Sequence, residues 1–456
     1  MKKNILFILT ALMFTSSQAQ WVKHGIGANA PGVCIVDLSM PSDNVVWGIL
    51  SVFSAGTCGG VVPYYVRSTN GSNFITNPVP LPADVTPVCI SAINSVTAWI
   101  AAGNIASNTT GYIYKTTNGG GSWVQQSSAV FNDAVRFVHF FDVNEGVAVG
   151  DSSVFVTIDG GNNWIARPGL PVPASVIGSG RTIFLLNSYE VLGNTIWLGD
   201  TYGYFYKSTD KGNSWSQMPY PIAPSAIKGI AFRDSLYGIA VASQWISGGG
   251  NGGGGYADYS VFTSDGGLSW QPLVINFPSA SVVNSVAKYD VAYVPGSANT
   301  FVVTSEYDAS YAAFSAVTYD GGTTWALIDS TEQHTACVFS SENKGYTGGY
   351  VNNFQSGVFS WNGVLSSIVN LSDEVNEVFT LSPLPATDLV TLKRNNESLI
   401  RDISVIDISG KRITSFEVDS RNDKEIILDV SSLPRGIYMI LLSEQNGNIY
   451  SQKLIK

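Results

Sequence analysis

Beyond residue 20 the chain consists of short runs of alternating apolar and polar residues, separated by clusters of Gly, Asn, Asp and Ser. One unit reads Trp123-Val124, then Val135 to Phe141, Gly146 to Gly150 and Val154 to Thr157. Period-two patterning bounded by turn formers predicts β-strands. No segment shows a helical period. Around residues 366–377 the pattern gives way to a polar linker, after which a second group of short β runs occupies 378–456.

One turn signal recurs. It is nearly complete in Thr116 to Trp123, Thr157 to Trp164, Ser208 to Trp215, Thr263 to Trp270 and Thr318 to Trp325, and degraded in Ser68 to Phe74 and Ser360 to Gly363. Its Asp or Asn residues fall at 70, 118, 159, 210, 265, 320 and 362, spaced by 48, 41, 51, 55, 55 and 42 residues. That is the length of one four-stranded propeller blade. Asn118, Asp159, Asp210, Asp265 and Asp320 can accept hydrogen bonds from the N–H groups of their own turn, and the glycines that follow supply positive φ. Trp123, Trp164, Trp215, Trp270 and Trp325 then start the next strand and can pack between neighbouring sheets. These roles are structural: a carboxylate repeated in one hairpin is a turn lock rather than a catalyst. Trp21-Val22-Lys23 looks like the strand that follows a box and can close the ring onto the blade built from 335–361, a slot that Val364 to Val369 could fill instead.

These boxes resemble the Asp-box, or BNR, repeat of sialidases, sortilin-type receptors, xyloglucanase-like glycosidases and photosystem assembly factors. The resemblance spans residues 21–365 and implies an all-β chain whose residues 20–365 form a seven-bladed β-propeller. In the second region, Phe379 to Asp388, Val405 to Lys411, Leu428 to Tyr438 and Lys453 to Lys456 resemble the type A C-terminal sorting domain of the type IX secretion system of Bacteroidota. Leu384 stands where that family usually has Asn. This implies a small Ig-like β-sandwich over 378–456, recognition by the type IX machinery, and export to the outer-membrane surface or the extracellular space.

Residues 1–19 fit that route. Met1-Lys2-Lys3, the apolar run Ile5 to Phe14 and the small residues up to Ala19 read as a signal peptide, too short to span a bilayer. No other stretch reaches membrane-spanning length, so the expectation is a protein not integral to the membrane. The net charge of −10, with only 13% charged residues, argues against a nucleic-acid partner. Four cysteines, Cys34, Cys58, Cys89 and Cys337, allow two disulfides in an oxidising compartment, with Cys34 and Cys58 the first candidate pair. With no CxxC and three scattered histidines, neither a metal nor another cofactor is expected.

Candidate chemistry is sparse. Aligning the first strand of each repeat brings Cys34, Cys89, Arg136, Arg181, Lys228 and Cys337 to nearly one register. Arg136, Arg181 and Lys228 on consecutive blades would suit a carboxylate, sulfate or uronate. Trp245 and Tyr307 are candidate sugar-stacking aromatics, together with Trp197, Tyr202 and Tyr350. A glycosidase needs two carboxylates across a cleft, and Asp200 and Glu306 are the candidates. A sialidase needs three arginines around the substrate carboxylate, and the characteristic N-terminal arginine motif is missing. The leading expectation is therefore a non-enzymatic binding protein for a glycan or surface protein. The alternative is an Asp-box-type glycoside hydrolase acting on an extracellular polysaccharide.

Overall fold

The computed structural model describes residues 20–456 apart from 27–32, 55–56, 61–62, 105–109, 127–130, 132, 173–187, 219–225, 247–254, 274, 276–287, 306–313, 330–331, 352–354, 364, 366–378, 395–398, 408–411, 417–423 and 445–448. Every regular element among the described residues is a β-strand. The chain divides into two compact units, Met1–Leu365 and Ser366–Lys456.

In the first unit the described strands form seven antiparallel sheets, six of four strands and one of five. Their first strands are Val33–Ser42, Thr86–Ala92, Val135–Phe140, Tyr189–Leu192, Ala226–Phe232, Lys288–Tyr293 and Gln333–Ser341. Successive first strands touch one another, and Gln333–Ser341 returns to Val33–Ser42. Between the third and fourth sheets the contact is carried by the rings of Phe137 and Tyr189, 5.0 Å apart. The sheets are therefore propeller blades, with their first strands innermost. Closure is made by Gln20–Gly25, which pairs with Gln355–Asn362 in register from Gln20↔Asn362 to Gly25↔Gly357.

The box turns act as locks. In Thr157 to Trp164 the Thr157 hydroxyl donates to Asp159 Oδ1 (2.9 Å) and accepts the N–H of Gly161 (3.0 Å), while Asp159 Oδ1 accepts the N–H of Asn163 (2.9 Å). The same three bonds recur at Ser208, Thr263 and Thr318. The two residues after the Asp both take positive φ, 74° and 89° at Gly160 and Gly161; Lys211 adopts 58° in place of the first glycine. Trp123, Trp164, Trp270 and Trp325 are buried and Trp215 is half-buried.

Several boxes are also held by the preceding blade. The indole of Trp99 and the ammonium of Lys115 both donate to Gly160 O, and Trp197 and Lys207 do the same to Gly266 O. The Tyr237 hydroxyl reaches Gly321 O, and that of Tyr346 reaches Gly71 O, joining the last blade to the first. Lys115 and Lys207 also lie over the Trp99 and Trp197 rings, adding cation–π attraction.

The second unit has a three-stranded sheet (Phe379–Ser382, Leu389–Arg394, Glu425–Asp429) and a four-stranded sheet (Arg412–Phe416, Ile400–Asp407, Ile437–Glu444, Ile449–Ile455). Both contribute to one core, which includes Val390, Leu392, Ile403, Val405, Ile440, Leu442 and Leu454.

Candidate functional site

A β-bulge interrupts the innermost strand of several blades near the same point, with register shifts at Ile35/Asp37, Pro87/Cys89, Val135/Phe137, Ile227/Gly229 and Lys288/Asp290. The extra residue bends the strand and re-aims the side chains that follow. Arg136 and Lys228 are themselves bulge residues, and Cys89 follows one directly. Cys34 lies three positions before Asp37, outside that register.

Beyond the bulges two rings of polar side chains tie adjacent blades together. In the first, Asp37 Oδ2 accepts the N–H of Ile90 (2.7 Å), Cys89 Sγ donates to Val138 O (3.5 Å), and Asp290 Oδ2 accepts the N–H of Cys337 (2.8 Å). Two residues further on, the hydroxyls of Ser39 and Ser91 and the Glu190 carboxyl accept from Ala92, Phe140 and Phe232. The Tyr189 hydroxyl also donates to Asp37 Oδ1 at 2.8 Å, bridging the fourth and first blades.

Of these groups Asp37, Tyr189, Glu190 and Asp290 line a cavity of about 310 Å³, together with the rings of Phe232, Tyr293 and Phe339. It lies among the second halves of the innermost strands, the halves nearest the box turns. Burial pushes the carboxyls of Asp37 and Glu190 up to about 7, with hydrogen bonds opposing the shift. Asp290 is raised well above the usual carboxylate range by burial, with the nearby Asp37 and Glu190 adding to the effect. On the third blade, burial lowers His139 to about 4, which keeps it neutral.

Among the described residues, those nominated from sequence are held in separate places. Arg136 is buried and forms a two-point ion pair with Asp151 (Nε–Oδ1 2.9 Å, Nη2–Oδ2 3.2 Å), so those donors face a carboxylate of its own blade. Lys228 is partly exposed on the fifth blade. Asp200 is fully buried: Oδ1 accepts the N–H groups of Tyr202 and Tyr204, both at 2.8 Å, and Oδ2 accepts the Tyr206 hydroxyl at 3.1 Å. Burial raises it to about 6, but with both oxygens engaged inside its turn it offers no face to a substrate. Trp197, a candidate sugar-stacking aromatic, is a fully buried strand residue. Arg181, Glu306 and Tyr307 lie outside the described residues, as does most of the glycine-rich loop after Trp245. Trp245 lies on Gly238–Ile246, opposite Tyr256 on Gly255–Thr263. Cys34 is disulfide-bonded, while Cys89 and Cys337 are buried free thiols. Among the described residues no group of three or more His, Cys, Asp or Glu side chains could hold a metal ion.

The channel residues Asp37, Glu190 and Asp290 escaped sequence reasoning. Their signal was a carboxylate set inside an apolar run, as in Val36-Asp37-Leu38, Glu190-Val191-Leu192 and Asp290-Val291-Ala292. The Thr or Ser opening each box is a second omission: these hydroxyls are buried and bridge the Asp to the second glycine.

Residues 380–456 match the family model of the secretion system C-terminal sorting domain. No curated protein matches the chain in sequence. Among solved structures it is similar to YCF48 bound to D1 peptide, with 15% identity, a TM-score of 0.53, and coverage of 75% of this chain and 97% of that one. YCF48 from Cyanidioschyzon merolae matches at 14% identity and TM-score 0.52, over 75% and 99% of the two chains. The GH74 xyloglucanase from Xanthomonas campestris matches at 12% identity and TM-score 0.52, over 95% of this chain and 74% of its own. At these identities the likeness is one of fold. No helix among the described residues is long and apolar enough to cross a membrane. The chain is a β-propeller protein with a type IX secretion sorting domain at its C-terminus, exported through that machinery to the cell surface or the extracellular space.

Proposed function

We propose that the exported propeller is a binding protein that presents the blade face opposite its box turns to a glycan or to a surface protein. The observation that carries this reading is the hairpin of the fifth blade. Gly238–Ile246 and Gly255–Thr263 are nine residues each, whereas the corresponding strands of the third blade have five and four. The extension runs away from the box that follows Thr263, and its register sets Trp245 directly opposite Tyr256. Tryptophan and tyrosine are residue types that suit sugar rings and peptide side chains alike. The carboxyls of Asp37, Glu190 and Asp290 are engaged in holding blades together, and Asp200 in its own turn, which favours binding over hydrolysis. One fold neighbour is a peptide complex and another a xyloglucanase, so both ligand classes belong in the test.

The purified protein would be screened on glycan and peptide arrays, and each hit assayed for cleavage. The expected result is binding without product, weakened at least about tenfold by W245A together with Y256A. Turnover of a bound polysaccharide would overturn the reading in favour of a glycoside hydrolase. Unchanged binding by the double variant would remove the hairpin as the contact surface.

A further inference from the structure

The channel carboxyls bridge three separate blade junctions yet share one cavity. Asp37 joins the first blade to the second, Glu190 the fourth to the fifth, and Asp290 the sixth to the seventh. Elsewhere in the same rings the bridging group is neutral, as with Ser39, Ser91 and Cys89. A carboxyl is therefore not required for the bridge, and three of them in one channel introduce an electrostatic element that hydroxyls would not.

Among the described residues, the groups facing them supply no compensating charge. Asp37 meets the Tyr189 hydroxyl and the Cys89 thiol; Asp290 accepts the backbone N–H groups of Cys337 and Val291 and is influenced at longer range by Asp37 and Glu190, with the Cys337 thiol nearby; and Glu190 meets the N–H groups of Val191 and Phe232. Arg136 is paired with Asp151, and among the described residues no lysine, arginine or histidine forms an ion pair with any of the three. Three negative charges close together in a buried channel repel one another and lose hydration.

We propose that Asp37, Glu190 and Asp290 form a proton-linked latch on the ring, holding the blades together while protonated and loosening the channel when they ionise together. Protonation leaves the bridges intact. A neutral carboxyl still accepts the backbone N–H, and Asp37 can donate to the Tyr189 oxygen where it previously accepted. Burial holds the folded-state titration of these groups above that of the unfolded chain. The contribution of Asp37 and Glu190 is therefore complete below about pH 4 and declines as pH rises through about 7, and Asp290 acts in the same direction. The box residues Asp159 and Asp265 have the opposite sign, and their contribution is lost only in stronger acid.

The test uses the full chain. Urea unfolding would be followed from pH 5 to 8 for the wild type and for D37N/E190Q/D290N, whose amides keep acceptors without charge. The wild-type folding constant is expected to fall at least about tenfold across this range, with about one or more protons released on unfolding near pH 6. The triple variant should be nearly flat and more resistant than the wild type at pH 8. A wild-type stability that is flat or rising, or a triple variant that keeps the whole decline, would overturn the proposal. Should the triple variant fail to fold, proton release by the wild type, measured calorimetrically in buffers of different ionisation enthalpy, decides the matter: no net release overturns the latch.

Discussion

Ring closure rests on one short strand, and Trp21→Ala tests it. The indole Nε1 of Trp21 donates to Ser315 Oγ on the sixth blade at 2.9 Å, and its ring packs against those of Trp361 (5.0 Å), His334 (5.3 Å) and Phe339 (6.0 Å). The side chain thus joins the strand that closes the seventh blade to the blade before it. Truncating a fully buried Trp costs roughly 3–5 kcal/mol. Trp21 is only partly buried, so apolar loss scales to about 2–3 kcal/mol. The lost hydrogen bond adds little, because Ser315 keeps its contact with Asp329 at 3.3 Å. The assay is tryptophan fluorescence in urea. All 11 tryptophans lie between Trp21 and Trp361, so the signal reports on the propeller unit and not on the sorting domain. The W21A midpoint should fall by an amount equal to about 2–3 kcal/mol divided by the m-value. A loss below about 0.5 kcal/mol, the level of an ordinary surface substitution, would mean that the strand decorates the ring without securing it.

Asp265→Ala should cost about 1–2 kcal/mol at pH 7 by removing the acceptor for Ser269 N and Thr263 Oγ1. Those bonds hold Asp265 down to about 2, so the deficit against wild type should shrink as pH falls from about 4 through 2; a pH-independent deficit would contradict the turn-lock reading. Gly120→Ala would place a Cβ 2.0 Å from the Tyr65 hydroxyl at a φ of +85°, and a loss of at least about 2 kcal/mol in chemical unfolding is expected. We propose Cys58 as the partner of Cys34. A non-reducing peptide map should recover that pair, while thiol titration should find Cys89 and Cys337 unreactive until the protein unfolds. Deleting 380–456 should retain the protein in the periplasm, and cell fractionation showing normal export of the truncated chain would refute the sorting role.

The local elements were open to sequence reading because their causes are local. A box turn needs a hydroxyl, an Asp or Asn two residues on, then glycines and a Trp, and all of its bonds close within a few residues. The recurrence of that turn at blade spacing, the β alternation between copies and the order of the sorting-domain motifs follow from the chain alone. So does the nomination of Trp21-Val22-Lys23 as the closing strand, now paired with Phe359 to Trp361.

Side-chain destinations were decided elsewhere. Arg136 sits on a bulge and meets Asp151; Asp200 turns inward onto Tyr206; Trp197 reaches a box carbonyl 69 residues away; and Tyr189 meets Asp37 across 152 residues. A bulge shifts register by one residue and so changes the direction of every side chain that follows, and the junction between blades joins residues that no local pattern relates. The repeat and its turns belong to the sequence, whereas the channel, its carboxyls and the fates of Arg136 and Lys228 belong to the way seven separately legible sheets pack around a common axis.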